Sequence, residues 1–257
     1  MMNNVAEIEI RECTTIEEFD ECVRLQREAF GLPELEISPR RHLIVSRRAG
    51  GWTLGAFAVG GRMLGFVLHL VAVRGGGEII GYSHMMAVAR SAQNMGIGAR
   101  LKWAQRQRAL AEGRNFIKWT WDPMQARNAH FNLNRLGVTV SSYGENFYGT
   151  DYLTFPHERG DGHSLDSDRL FADWDLLAPR VTELAAGRAA GLSAPPAAEI
   201  VIPPDWHTLV ERDPRAARSE QLRVRAEFAQ AFAEGLVCAG FERDLKRPRY
   251  LLYDSDK

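Results

Sequence analysis

The chain has 257 residues, of which 45% are hydrophobic and 25% charged. This is the composition of a globular protein and excludes collagen-like repeats, disorder and a disulfide scaffold. With 32 Lys+Arg against 33 Asp+Glu the net charge is -1, which excludes a strongly basic binder of nucleic acid or anionic membrane as the first reading. Only Lys102, Lys118, Lys246 and Lys257 are lysines; the remaining cations are arginines, suited to bidentate recognition of carboxylate or phosphate. Cys13, Cys22 and Cys238 lack metal-ligand spacing and read as reduced thiols, with no metal expected. Glu7 and Glu9 interrupt the apolar start of the chain, and the longest apolar run, Met63 to Val73, contains Gly65 and His69. No signal peptide or membrane span is expected, and the expected location is cytoplasmic.

In chain order, Glu7 to Ile10 alternates with period two and reads as a strand. Thr14 or Thr15 opens a helix with Glu17 and Glu18 in its first turn, and Phe30-Gly31 closes it. Ser38-Pro39 predicts a second helix, with Ser38 as cap and Pro39 at its first position. Strands are expected at Trp52 to Val59, Met63 to Val73 and Ile79 to Ala89, joined by glycine-bearing hairpins. The chain then runs through Gln93-Asn94-Met95-Gly96-Ile97-Gly98 into a helix from Ala99 to Glu112. A strand from Asn115 to Trp121 and a helix over Ala126 to Leu136 follow. Beyond Gly137 a strand over Val138 to Phe147, a polar loop to Ser167, a strand from Arg169 to Leu176 and a helix over Pro179 to Ala190 are expected. The last segment reads as a strand at Glu199 to Ile202, helical patterning from Pro204 to Glu234, and a hairpin of Leu236 to Phe241 with Arg249 to Tyr253. Too short for a core of its own, it is expected to dock on the main domain. The expected organisation is a main domain over 1–190, a linker over 191–198 and a small C-terminal α/β extension over 199–257. The fold class is α+β with a mixed sheet.

The glycine loop carries most chemical content. Backbone N–H groups of a glycine-bearing loop and of a helix's first turn form a concavity for phosphate oxygens. It is neither a Walker loop nor a dinucleotide fingerprint, because no Gly-Lys-Ser/Thr follows and Leu101 stands at the third glycine position. Placed after the strand ending in Val88, Gln93-x-x-Gly96-x-Gly98 resembles the acyl-CoA pyrophosphate loop of the GNAT (Gcn5-related N-acetyltransferase) superfamily, and the order of elements over residues 7 to 176 agrees with it. The string from Trp119 through Asn128 and Asn132 to Gly137 resembles an uncharacterised bacterial branch of that superfamily.

The resemblance implies a GNAT acyl-CoA N-acyltransferase fold and acetyl-CoA, or another acyl-CoA, as co-substrate. Backbone groups of Met86, Ala87 and Val88 would pair with the pantetheine arm. The N–H groups of Gln93, Asn94, Met95, Gly96, Ile97, Gly98 and Ala99 would hold the pyrophosphate, with Arg100 adding charge and Asn128 bonding the pantetheine or acyl region. Many members carry an acid tyrosine where this chain has Leu133; Tyr143 and Tyr148 are the substitutes, with Tyr148 preferred and packing as the competing role. Period-two alternation puts Tyr82, His84, Met86 and Val88 on one face, so His84 is a candidate general base, with Asp122 competing as base, amine anchor or plain helix cap. Tyr82 and Arg169 are candidate acceptor contacts, Arg169 for a carboxylate, unless it pairs with Asp166 or Asp168. His130, His157 and His163 show no metal spacing, and the arginine-rich helix from Arg215 to Arg225 reads as a solvated face. The resulting expectation is a direct N-acyl transfer to a small amine such as an amino acid or its derivative, with no nucleic-acid or membrane partner and a homodimer allowed. Transfer from succinyl-CoA or another acyl-CoA, and a catalytically degenerate acyl-CoA sensor or interaction module, are the alternatives.

Overall fold

A computed structural model describes residues 8–149, 165–192 and 194–255. Glu7 of the first strand, the polar loop with His157 and His163, and Ser193 of the linker lie outside the described residues. The chain divides into two compact units at 117/118.

The first unit contains β1 (Glu9–Glu12), α1 (Ile16–Phe30), α2 (Arg40–Arg48), β2 (Trp52–Phe57), β3 (Met63–Arg74), β4 (Glu78–Val88) and α3 (Ile97–Ala111). Its four strands pair antiparallel in chain order. Local chemistry sets the helix ends. Thr15 and Glu18 form a reciprocal capping box at the start of α1, and Gly31 ends it in the left-handed region at φ 63°. α2 begins one residue later than its Ser-Pro signal predicts, because Pro39 takes the cap position. Ser38 is held instead by the buried Gln26, whose amide accepts the Ser38 N–H (2.9 Å) and donates to the Ser38 carbonyl (3.1 Å). The strands bury their apolar residues against Phe19, Cys22 and Leu25 of α1, Leu43 of α2 and Ile97 and Leu101 of α3.

The second unit contains β5 (Phe116–Trp121, which crosses the boundary), α4 (Ala126–His130), β6 (Tyr143–Gly144), β7 (Arg169–Asp175) and α5 (Pro179–Ala185). It continues with β8 (Ala198–Val201), α6 (Trp206–Arg212), α7 (Pro214–Ala233), β9 (Leu236–Glu242) and β10 (Arg249–Asp254). Strands order as β5-β7-β6 and, in a separate antiparallel sheet, β8-β10-β9. The helix expected over Ala126 to Leu136 changes pitch: after His130 it widens into a π turn, Phe131–Arg135, with Leu136 N–H bonded to Phe131 O. The strand expected over Val138 to Phe147 shrinks to Tyr143–Gly144, because Thr139 bonds Asp173 of β7 while Val140 bonds Cys238 of β9. Split between two partners, that stretch forms no continuous ladder. Gly187, at φ 75°, lies just beyond the early end of α5. Asp213, whose carboxylate accepts the Ala216 N–H at 2.9 Å ahead of Pro214, breaks the expected long C-terminal helix into α6 and α7.

The C-terminal strands and α7 share the second unit's core. Tyr250 is fully buried, donates to Pro123 O (2.7 Å) and meets Phe228 and Phe241 edge-on, while Asn134 Oδ1 accepts the Phe241 N–H (2.9 Å). Among the described residues no helix is long and apolar enough to cross a membrane.

Candidate active site

The first unit holds a strand, a loop and a helix start in succession. β4 ends at Val88, a short 3-10 turn spans Arg90–Ala92, and α3 begins at Ile97 with Gly96 as its cap residue. Two left-handed residues shape the loop, Asn94 at φ 65° and Gly96 at φ 77°. No side chain caps α3. The Arg100 N–H closes the first helical bond onto Gly96 O, and among the described residues no hydrogen bond engages the N–H groups of Asn94, Met95, Gly96, Ile97, Gly98 or Ala99. Six unengaged donors therefore gather at the positive end of a 15-residue helix, the kind of donor set that suits an anion. Asn94, Met95 and Gly96 are exposed. Of the loop side chains, Ile97 is buried packing, and Gln93 reaches back towards Val88 O at 3.4 Å. Arg100, expected to add charge, spends one donor on Ile8 O (2.5 Å). The loop's entry is pinned to α1, where Glu28 accepts the Arg90 N–H at 2.7 Å.

β4 departs from simple alternation. Met86 opposes Val67 and Met85 opposes Leu68, but His69 opposes Ser83, so β4 carries one extra residue, His84, in a β-bulge. The expected common face is corrected accordingly: the slip turns Met86 and Val88 to the face opposite Tyr82, which pairs with Leu70. His84 is exposed and meets the ring of His42 from α2 edge-on, with centroids 5.5 Å apart. Partial burial first, and then the charge of His42, hold its pKa below the ordinary histidine value. The ring is thus neutral at pH 7, as a general base requires. Removing His42 lifts both causes, so in His42→Ala the acid-side limb of any His84-dependent pH–rate profile is expected to move to higher pH. A limb that stayed in place would detach that limb from His84.

The other candidates lie in the second unit. Asn128 is exposed on α4. The carboxylate of Asp122 accepts from Met124 N–H (2.8 Å) and Gln125 Nε2 (3.1 Å), the geometry of a local cap. Tyr143 donates its hydroxyl to Asp168 (2.7 Å); burial, then the Asp168 carboxylate, push its pKa far up, so its proton is held there. Tyr148 is 57% exposed, with its hydroxyl 3.3 Å from Thr120 Oγ1. Arg169 lies over the Tyr148 ring, 5.1 Å from its centroid, and bonds Asp168 O at 3.1 Å. Among the described residues it makes no ion pair with either aspartate.

Those aspartates are paired instead by arginines of α7. Arg225 forks onto the carboxylate of Asp168 (3.0 and 2.7 Å) and also contacts Asp166, which Arg218 pairs at 2.7 Å. The arginine-rich helix is thus solvated only in part: Arg215 is exposed as its charge suggests, whereas Arg225 is 16% exposed and turned onto the aspartates. Gln221 completes the join by exchanging two hydrogen bonds with the Asp166 backbone. Leu133 is fully buried in the π turn. No group of three His, Cys, Asp or Glu placed to hold a metal occurs among the described residues.

No family model matches the sequence, and no curated protein does. Solved structures do. An acetyltransferase from Desulfovibrio desulfuricans described as of the GNAT family aligns over 66% of this chain and 99% of its own, at 15% identity and TM-score 0.51. The ribosomal-protein-S18-alanine N-acetyltransferase of Escherichia coli aligns over 73% of this chain and 97% of its own, at 13% identity and TM-score 0.50. The fold is that of the GNAT acetyltransferases. A further match is to a fungal multi-domain β-N-acetylglucosaminidase with a GCN5-related glucosamine N-acetyltransferase region. There the alignment covers 45% of this chain and 14% of the other, at 19% identity and TM-score 0.40. In this GNAT fold the strand, loop and helix start described above are β4, the Gln93 to Gly98 loop and α3.

Proposed function

We propose that the chain is an acyl-CoA-dependent N-acyltransferase that transfers an acyl group, acetyl by default, directly to a small amine such as an amino acid or its derivative. The observation that carries this reading is the set of six unengaged N–H groups from Asn94 to Ala99 at the start of α3, which suits the pyrophosphate of CoA. Met86, Ala87 and Val88 lead into that loop and are the backbone against which the pantetheine arm lies as an added strand. The acceptor nitrogen attacks the thioester carbonyl, the new C–N bond forms as the C–S bond breaks, and His84 takes the proton the amine loses. A thiol of pKa ~8.5 is a tolerable leaving group. Of the two tyrosines considered as its proton donor, Tyr143 keeps its proton on Asp168. Near-zero net charge favours a small acceptor over a polyanionic target.

The test has two measurements on the full chain: calorimetric titration with CoA, and thiol release from acetyl-CoA and succinyl-CoA across a panel of amines. Micromolar CoA binding with amine-dependent thiol release is expected, and absence of CoA binding overturns the reading. The buried Leu133, where many GNAT enzymes place an acid tyrosine, favours one alternative. That alternative is a catalytically degenerate acyl-CoA sensor, which would bind CoA without turning over any amine.

A further inference from the structure

Behind the bulge of β4 lies a chain of polar side chains with no place in the chemistry above. Ser83, Lys102, Gln105 and His69 are 5%, 3%, 0% and 0% exposed. Lys102 Nζ donates to Ser83 Oγ (2.8 Å) and to Gln105 Oε1 (3.1 Å), which leaves the Gln105 amide nitrogen, 3.3 Å from His69 Nδ1, to donate there. His69 Nδ1 is then the acceptor, and its proton sits on Nε2. Trp52 stacks flat on the His69 ring, 4.0 Å between centroids and 2° from parallel, while a Cβ on Gly81 would overlap His69 Cε1. The imidazole is therefore stacked on Trp52 on one face and closely packed by the Gly81 backbone at Cε1.

Its location gives this chain a purpose. His69 and Ser83 are the opposed pair at which the β3–β4 register slips, and His84 is the residue the slip inserts. Two residues of α3, the helix whose start forms the anion loop, reach the bulge from beneath. A buried amine is costly, and an apolar side chain would fill the same space at lower cost.

We propose that Lys102, through Ser83, Gln105 and His69, is a positioning residue that fixes the β4 bulge and thereby sets the orientation of His84 relative to the loop at the start of α3. This rests on the reading of His84 as general base. The brace works through geometry: the groups that depress the His84 pKa are its partial burial and His42 of α2, and the Lys102 charge is not among them. The His69 imidazole is pushed down to about 3 by burial and then by the charges of Arg114, Lys102 and Arg108, so it is a neutral link at any working pH.

The test follows the His84 imidazole by NMR titration in the full chain, beside steady-state kinetics, in Lys102→Met, Ser83→Ala and the double variant. If the brace sets the bulge, the His84 midpoint rises towards the ordinary ~6.5 in each single variant. The rate constant kcat falls about 10- to 100-fold with CoA affinity kept, and the double variant adds little to either single one. An unchanged His84 midpoint in Ser83→Ala, the milder truncation, overturns the proposal whether or not Lys102→Met folds. So does a fall in stability with midpoint and kcat unmoved. If no amine is turned over by the wild type, the transferase reading fails, while the titration still decides the brace.

Discussion

Replacing Gly96 with aspartate is expected to abolish CoA binding while leaving the protein folded. Gly96 sits at φ 77°, and nothing lies within 4 Å of the position a Cβ would take. The only cost to the fold is therefore the left-handed strain a side chain adds, about 1–2 kcal/mol and less for aspartate, which tolerates that region. The added carboxylate stands beside the N–H groups of Ile97, Gly98 and Ala99, where the diphosphate is proposed to bind. Two like charges about 4 Å apart repel by about 4 kcal/mol at an effective dielectric of 20, so a loss of at least ~100-fold in affinity is expected. Gly96→Asn separates charge from shape, because it is similar in size, accepts a left-handed backbone and carries no charge. Its affinity should fall far less. Calorimetric titration with CoA reads both variants, and equal affinities for wild type and Gly96→Asp would mean the anion binds elsewhere.

How much of this was legible in the sequence depended on how local each signal was. Thr15 with Glu18 and Gly31 declare the ends of α1 through residues only a few positions apart, and the structure keeps them, whereas α3 starts at Ile97, two residues ahead of the expected Ala99, because Gly96 takes the cap position. The bulge at His84 could not be read from β4 alone, because it exists only in the register against β3; alternation along one strand placed Met86 beside Tyr82 when the slip separates them. Lys102 and Gln105 lie on the buried side of α3 with Ile97, Leu101 and Ala109, so the available hint is two polar residues on a helix face that is otherwise apolar. Asp168 and Arg225 are 57 residues apart; nothing local to Asp166-Ser167-Asp168-Arg169 distinguishes pairing with the adjacent arginine from pairing with α7. Likewise the π turn and the short β6 depend on backbone groups bonded to β7 and β9.

That distant pair yields the largest stability effect expected outside the core. Asp168 is 1% exposed, and its carboxylate accepts from Tyr143 Oη (2.7 Å), the Asn146 N–H (2.9 Å) and the fork of Arg225. Arg225→Ala leaves that charge buried with two neutral donors, and breaking a buried pair from one side costs about 3–5 kcal/mol. Asp168→Asn in the same chain removes the orphaned charge, so the double variant should recover part of the loss; a lysine at 225 lacks the planar fork and should not. The pair's neighbour adds a pH dependence. Burial alone would raise the Asp166 pKa, but hydrogen bonds from Arg225 and then Arg218, with their charges, outweigh it and hold the group below its ordinary value. A depressed folded-state carboxyl stabilises above its unfolded pKa and loses that contribution as pH falls through the folded value. Wild-type stability should therefore decline below about pH 4, with a shallower dependence in Arg225→Ala. Urea unfolding of the full chain at pH 7 and across the acid range measures both. A loss under about 1 kcal/mol at pH 7 would show that Arg225 and Asp168 behave as an exposed surface pair, and that α7 is held by its apolar contacts and its other polar ones, such as Gln221 on the Asp166 backbone.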